Sequence, residues 1–233
     1  MPTIVITGAS QGIGAALAEA FAQEPNARLA LLARNETKLH AVAEACHAHE
    51  AETLVLPTDV TDEAAVQAAT QAVLERWGAP DVLINNAGVF KPGNVVDSPV
   101  VLFREQIEVN LTSAFMVTQA FLGAMTEAKR GTIFYMASVA SIRAYAGGAA
   151  YCAAKHGLLG LARVVREETK EHGIRVTTLL PGATLTPSWD GVDLPEERFM
   201  PATDIAQAVR DAWHLSDRTV IEELLLRPQL GDI

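Results

Sequence analysis

Cysteine is nearly absent from this chain. Only Cys46 and Cys152 occur among 233 residues. Two are too few for a disulfide framework, and such usage fits a reducing cytoplasm. Positive charge is also scarce: 18 Lys and Arg stand against 28 Asp and Glu, a net charge of −10. A chain so short of basic residues lacks the electrostatic footprint for nucleic acid or an anionic membrane surface. No apolar run approaches the roughly 20 residues of a membrane-spanning helix. No signal-type leader is expected, because Thr3-Ile4-Val5-Ile6-Thr7 already reads as a strand. Internal repeats, low-complexity tracts and Pro/Gly/Ser-rich linkers are missing too. With 49% hydrophobic and 20% charged residues, the composition suits one large α/β domain over residues 1–233.

What the chain does have is alternation. Thr3–Thr7, Arg28–Ala33, Thr53–Leu56, Asp81–Asn85, Thr132–Ala137, Arg175–Leu180 and Glu222–Leu226 are short runs rich in Val, Ile, Leu or Thr, each reading as a buried strand. Between them lie stretches with helical spacing: Ile13–Gln23, Glu36–Ala48, Asp62–Trp77, Val101–Ala128, Ala149–Glu171 and Thr203–Leu215. Asn35, Thr61 and Thr203 stand where N-caps belong. Strands alternating with helices imply a doubly wound (Rossmann) parallel sheet of about seven strands with helices on both faces. Such sheets bind ligands at the carboxyl ends of their strands.

Two stretches carry chemistry. The first strand runs into Thr7-Gly8-Ala9-Ser10-Gln11-Gly12-Ile13-Gly14 and then a helix. Glycines there allow a tight turn and close approach to a pyrophosphate, whose charge the helix N-terminus meets. The second stretch is Ala149-Ala150-Tyr151-Cys152-Ala153-Ala154-Lys155-His156-Gly157. Four residues apart on a helix, Tyr151 and Lys155 share one face. Bringing a phenol from a pKa of about 10 to roughly 7 needs about 4 kcal/mol, and a nearby cation acts in that direction. Tyr151 could then exchange a proton with a substrate oxygen. On spacing alone, an inert helix with a packed tyrosine and a surface lysine explains the same pair.

Along nearly its whole length the chain resembles the short-chain dehydrogenase/reductase family. Gly8, Ser10, Gln11, Gly12, Ile13 and Gly14 are similar to its cofactor turn. Asp59-Val60 resembles the pair that contacts the adenine ring, and Asn85-Asn86-Ala87-Gly88 the motif that ends its fourth strand and lines the cofactor site. Asn110 matches the helix asparagine that holds a water in the family's proton relay. Ser138, Tyr151 and Lys155 match its catalytic set. Pro181-Gly182, Thr184 and Thr186 fall where the family contacts the nicotinamide end. The resemblance implies that Ser138 polarises a substrate carbonyl and Tyr151 protonates the alkoxide. It also implies that Lys155 binds the nicotinamide ribose and depresses the tyrosine pKa.

The remaining expectations concern specificity and assembly. NAD-preferring dinucleotide folds carry an acid at the end of the second strand. Here Ala33 stands there and Arg34 follows, which points to NADP, with Ser10 and Asn35 as supporting contacts. Gln11 supplies no second cation in the glycine turn. The loop from about 183 to 201 holds Trp189, Phe199 and Met200, which either receive an apolar carbonyl substrate or pack the loop onto the body. Ser141 and Tyr145 line that pocket or support its loop. Cys46-His47-Ala48-His49 reads as a solvated helix end, with no metal expected. Cys152 reads as a packed small side chain. Helices Val101–Ala128 and Ala149–Glu171 are apolar beyond one stripe and need a second partner, as in the homodimers and homotetramers of the family. The reading is an NADP-dependent ketone or aldehyde reductase, whose alternative is a non-catalytic NADP-binding sensor or scaffold. A sensor has no need of Asn110, Ser138, Tyr151 and Lys155 together.

Overall fold

Alternate residues of each strand sort onto opposite sides of one sheet, and that sorting builds the molecule. The computed structural model describes residues Met1–Ile233. Its strands are β1 (Thr3–Thr7), β2 (Arg28–Ala33), β3 (Glu52–Pro57), β4 (Val82–Asn85), β5 (Gly131–Met136), β6 (Ile174–Pro181) and β7 (Glu223–Leu226). The helices are α1 (Gly12–Ala22), α2 (Glu36–His47), α3 (Glu63–Trp77), α4 (Val100–Ile107), α5 (Ser113–Ala128), α6 (Ala149–Thr169) and α7 (Ala202–Trp213). All strands are parallel, in the order β3-β2-β1-β4-β5-β6-β7. The chain starts in the middle, winds outward to β3, then returns beside β1. The switch point therefore lies between β1 and β4, where the carboxyl ends part and a ligand crevice forms.

Ile4, Ile6, Leu29, Leu31, Ile84 and Phe134 face α1, α2 and α7 on one side. Val5, Ala30, Leu32, Leu83, Ile133 and Tyr135 face α3, α5 and α6 on the other. Each large side chain buried this way contributes about 1.5–3 kcal/mol, which is why the central strands tolerate no polar alternation. No helix is long and apolar enough to cross a membrane.

Three local expectations are corrected. The long helix expected over Val101–Ala128 is broken by a π-helical turn, Glu108–Thr112, in which the Ser113 amide donates to the Glu108 carbonyl. Apolar periodicity does not reveal one added residue. Thr61 is not an N-cap. Asp62 takes that role, accepting from the amides of Ala64 (2.9 Å) and Ala65 (3.3 Å). The Thr61 hydroxyl instead donates to Asp59 Oδ1 at 2.7 Å. Thr203 lies inside the first turn of α7, which Pro201 starts without a side-chain cap. Asn35 does cap α2, accepting from the Lys38 amide at 2.9 Å.

The 183–201 loop closes on itself. Leu185 N donates to Met200 O (2.8 Å), and Met200 N donates to Ala183 O (3.0 Å). Phe199 and Met200 are buried beneath it. Past β7 the chain turns back, and Asp232 is gripped by Arg143 (3.1 Å) and Arg227 (2.7 Å).

Candidate active site

The glycine turn is welded to the end of β4 at the switch point. Asn86 Nδ2 donates to the carbonyls of Thr7 (2.9 Å) and Gly8 (3.2 Å). The Thr7 hydroxyl accepts from the amides of Asn86 and Ala87, each at 3.0 Å. Gly8 has φ +66°, and a Cβ on it would meet Ala87 Cα at 2.9 Å. A Cβ on Gly14 would lie 2.1 Å from the Gly8 carbonyl oxygen, so neither site accepts a larger residue without moving backbone. Gly12 lies beneath Thr186, whose Cγ2 would be 3.2 Å from a Cβ there. Ser10 and Ile13 sit within the same turn. Helix α1 has no side-chain cap and no acid in its first turn. Its N-terminal amides therefore keep the partial positive charge that receives a diphosphate.

Asn110, Ser138, Tyr151 and Lys155 converge beside this turn. Asn110 stands in the π turn, 1% exposed. Its amide group clamps Val89, accepting from the Val89 N–H (3.1 Å) and donating to the Val89 carbonyl (2.9 Å) and the Gln106 carbonyl (3.0 Å). Gly88 is obligatory between them: a Cβ there would lie 2.8 Å from Asn110 Oδ1 and 3.4 Å from Lys155 Nζ. Ser138 follows β5; its Oγ accepts from the Ala140 amide (3.1 Å) and reaches the Pro181 carbonyl (3.5 Å). Lys155 is 3% exposed, and its Nζ donates to the Met136 carbonyl at 2.8 Å.

The electrostatics reverse one expectation. Burial pushes the Tyr151 phenol up to about 12, and the facing Ser138 hydroxyl opposes that shift only in part. Burial brings Lys155 down to about 8. The ammonium lies 5.6 Å from the Tyr151 ring centroid and donates to Met136. Desolvation outweighs the cation in the protein alone.

At the far end of the crevice, Arg34 is exposed at the close of β2, and its charge helps hold Asp59 below the usual carboxylate range after the Thr61 hydrogen bonds. Val60 is buried beside Asp59. Lys38 was not singled out from sequence. It lies in the first turn of α2, and its Nζ donates to Gln11 Oε1 at 2.6 Å. The cation missing from the glycine turn is thus supplied from the next helix. Its signal was the spacing Asn35-x-x-Lys38 behind a capping asparagine. Phe90 was also missed: its ring stands edge-on to Tyr151, centroids 5.2 Å apart. Thr184, buried, and Pro181-Gly182 line the β6 side, with Gly182 N donating to Leu226 O at 2.8 Å.

Other residues lie apart from the crevice. Cys46 is wholly buried and its thiol is pushed up to about 12, while His47 turns outward to Thr53 Oγ1 at 2.8 Å. Trp189 packs edge-on to Phe199 at 5.0 Å, which fits the packing role. Lys129 and Arg130 precede β5, at the amino end of the sheet, away from Tyr151.

A family model described as short chain dehydrogenase matches residues 2–196. The chain is a short-chain dehydrogenase/reductase. As such it is an oxidoreductase acting on a CH–OH or C=O group. This short-chain dehydrogenase/reductase is 36% identical to a sepiapterin reductase of Chlorobaculum tepidum, over 99% of this chain and 97% of the relative. Its fold superposes on an alcohol dehydrogenase from Thermococcus sibiricus complexed with 5-hydroxy-NADP, with a TM-score of 0.92 at 31% identity, covering 100% and 99% of the two chains. A metagenomic short-chain oxidoreductase in complex with NADP gives 0.87 at 35% identity, covering 99% and 98%.

Proposed function

We propose that this chain is an NADP(H)-dependent ketone or aldehyde reductase of a reducing cytoplasm. In this reading residues 1–233 are one catalytic domain and 183–201 its substrate loop. The observation that carries the reading is the convergence of Ser138, Tyr151, Lys155 and Asn110 at the switch point, beside a glycine turn that admits no side chain at Gly8 or Gly14. A sensor or scaffold needs the turn but not the proton-transfer set.

When bound, the dinucleotide supplies the hydride; the protein orients and polarises. Gly8, Ser10, Gln11, Gly12, Ile13 and Gly14 receive its diphosphate at the α1 N-terminus. Asp59 and Val60 flank the adenine, and Asn86, Ala87, Gly88, Pro181, Gly182, Thr184 and Thr186 flank the nicotinamide half. Arg34 and Lys38 face the adenosine ribose as a pair of cations where Ala33 leaves no acid to repel a 2′-phosphate. The names of the solved relatives with NADP support the same choice. Ser138 holds the carbonyl oxygen, and Tyr151 gives its proton to the oxygen as negative charge develops there. Lys155 binds ribose hydroxyls. Asn110, with both Nδ2 protons committed to carbonyls, would hold a relay water as an acceptor.

The test is turnover of a carbonyl panel, followed by loss of NADPH absorbance. Tyr151→Phe should keep cofactor binding and lose about 10²–10⁴-fold in rate. More than about a tenth of wild-type turnover in that variant defeats the assignment.

A further inference from the structure

A row of aromatic rings leads away from the reactive phenol. Phe90 stands edge-on to Tyr151 (centroids 5.2 Å apart, planes at 72°), and Tyr145 stands edge-on to Phe90 (6.2 Å, 64°). The chain is poor in aromatics, at 6%, yet two of its three tyrosines lie in this row. Rings that merely plug a loop are buried. Phe90 remains 42% exposed and Tyr145 45%.

The row is held rigidly although it stands on loops. The segment after β4 is zipped to the segment before α6: Gly93 N donates to the Gly147 carbonyl at 2.8 Å, and Gly93 bridges Gly148. Tyr145 lies flat over Gly148, where an added Cβ would be 2.5 Å from Tyr145 Cε2. Ring and backbone therefore fix each other. A wall ordered in advance costs little further entropy when a ligand meets it. Trp189 and Phe199, expected either to receive substrate or to pack the loop, are turned to each other.

We propose that Phe90 and Tyr145 seat an aryl group of the substrate, so that the enzyme prefers carbonyl compounds carrying an aromatic ring set off from the reacting carbon. This rests on the reductase reading above and names its substrate class. Aromatic rings meet edge-to-face or offset, with an attraction beyond that of the apolar area they bury. The exposed faces of Phe90 and Tyr145 offer that geometry to a third ring anchored by its carbonyl at Tyr151.

A matched pair of ketones tests it. Benzylacetone and its ring-saturated counterpart carry the same methyl ketone, so their intrinsic reactivity is alike. The saturated compound is the more apolar, so general hydrophobicity works against the expected result. Wild type should favour benzylacetone by about three- to tenfold in kcat/KM. Phe90→Leu should bring the ratio near one, and Phe90→Trp should restore it. Equal or reversed preference in wild type, or an unchanged ratio in Phe90→Leu, overturns the inference. Binding of both ketones to NADPH-loaded Tyr151→Phe protein gives a second readout free of turnover. If no member of the carbonyl panel is reduced, the reductase reading fails on its own, and the binding ratio still decides for or against the aryl seat.

Discussion

Lys155 points its ammonium at the Met136 carbonyl, 2.8 Å away, and not at the hydroxyl of Tyr151 four residues earlier. Sharing a helix face brought the two together, but burial raises the phenol to about 12 and lowers the ammonium to about 8. In the protein alone, desolvation sets the direction of the phenol's shift. A cofactor ribose held by Lys155 would be expected to shift it the other way. In cofactor-free protein, the phenolate absorbance that Tyr151→Phe removes should arise only above about pH 10. Saturating NADP should move it lower. An ionisation near neutrality without cofactor would contradict this account.

Lys155 also makes stability depend on alkaline pH. Its folded pKa of about 8 lies below the 10.5 of a lysine in the unfolded chain. Between those values the unfolded chain holds a proton that the folded one has released, so stability rises with pH through that window. Relative to Lys155→Met, wild type should gain about 3 kcal/mol from pH 7 to 10.5. Denaturant melts of both proteins across that range check the slope, and a flat difference would show that the ammonium is not desolvated.

Cofactor choice should respond to two cations. Arg34→Leu and Lys38→Leu should each raise the KM for NADPH, the arginine by about ten- to a hundredfold and the lysine by less. Neither should alter the KM for NADH by more than about twofold, since the lost partner is the 2′-phosphate alone. Initial rates with both cofactors give the ratio. An Arg34→Leu/Lys38→Leu protein that still prefers NADPH would place the phosphate elsewhere.

Assembly is testable on the outer face of α5 and α6. Phe115 is 47% exposed and Val164 52%, and with Leu122 and Leu161 they line a groove of about 510 Å³ between the two helices. We expect a second copy to cover it, as tetramer over dimer. Phe115→Glu/Val164→Glu should lower the mass by light scattering, from tetramer to dimer, or to the 24.9 kDa of one chain where this face is the sole interface. A wild-type mass already at that value would exclude the interface.

The strands were legible because buried parallel strands are written as unbroken apolar runs. β1 and β2 fall on their expected bounds, and the others shift by a residue or so. The four residues proposed for proton transfer stood out in the sequence because each sits at a strand end or on a helix beside one. What escaped the sequence was side-chain geometry across long separations. The Thr7–Asn86 weld joins residues 79 apart. Lys38 reaches Gln11 across 27 positions, and Phe90 meets Tyr151 beside the Gly93–Gly147 bond. The direction of the tyrosine shift also escaped, because spacing reports proximity but not which acceptor captures a lysine.

The π turn at Glu108–Thr112 gives the helix one residue more than a regular coil between its ends would require. Deleting Leu111 would let the backbone relax to ordinary α-helical bonding, and a straighter helix would result. The residues on either side would keep their faces, because the turn absorbs the extra residue, and the change would fall on Asn110 inside it. Asn110 would then swing off Val89, and the loop that carries Gly88 and Phe90 would lose its anchor. The insertion therefore acts as a local widening of the coil, with its neighbours left in phase. It lets one helix present an apolar seam to the sheet along α5 and a polar clamp to the crevice one turn earlier, two demands that a single uninterrupted helical repeat could not meet at once.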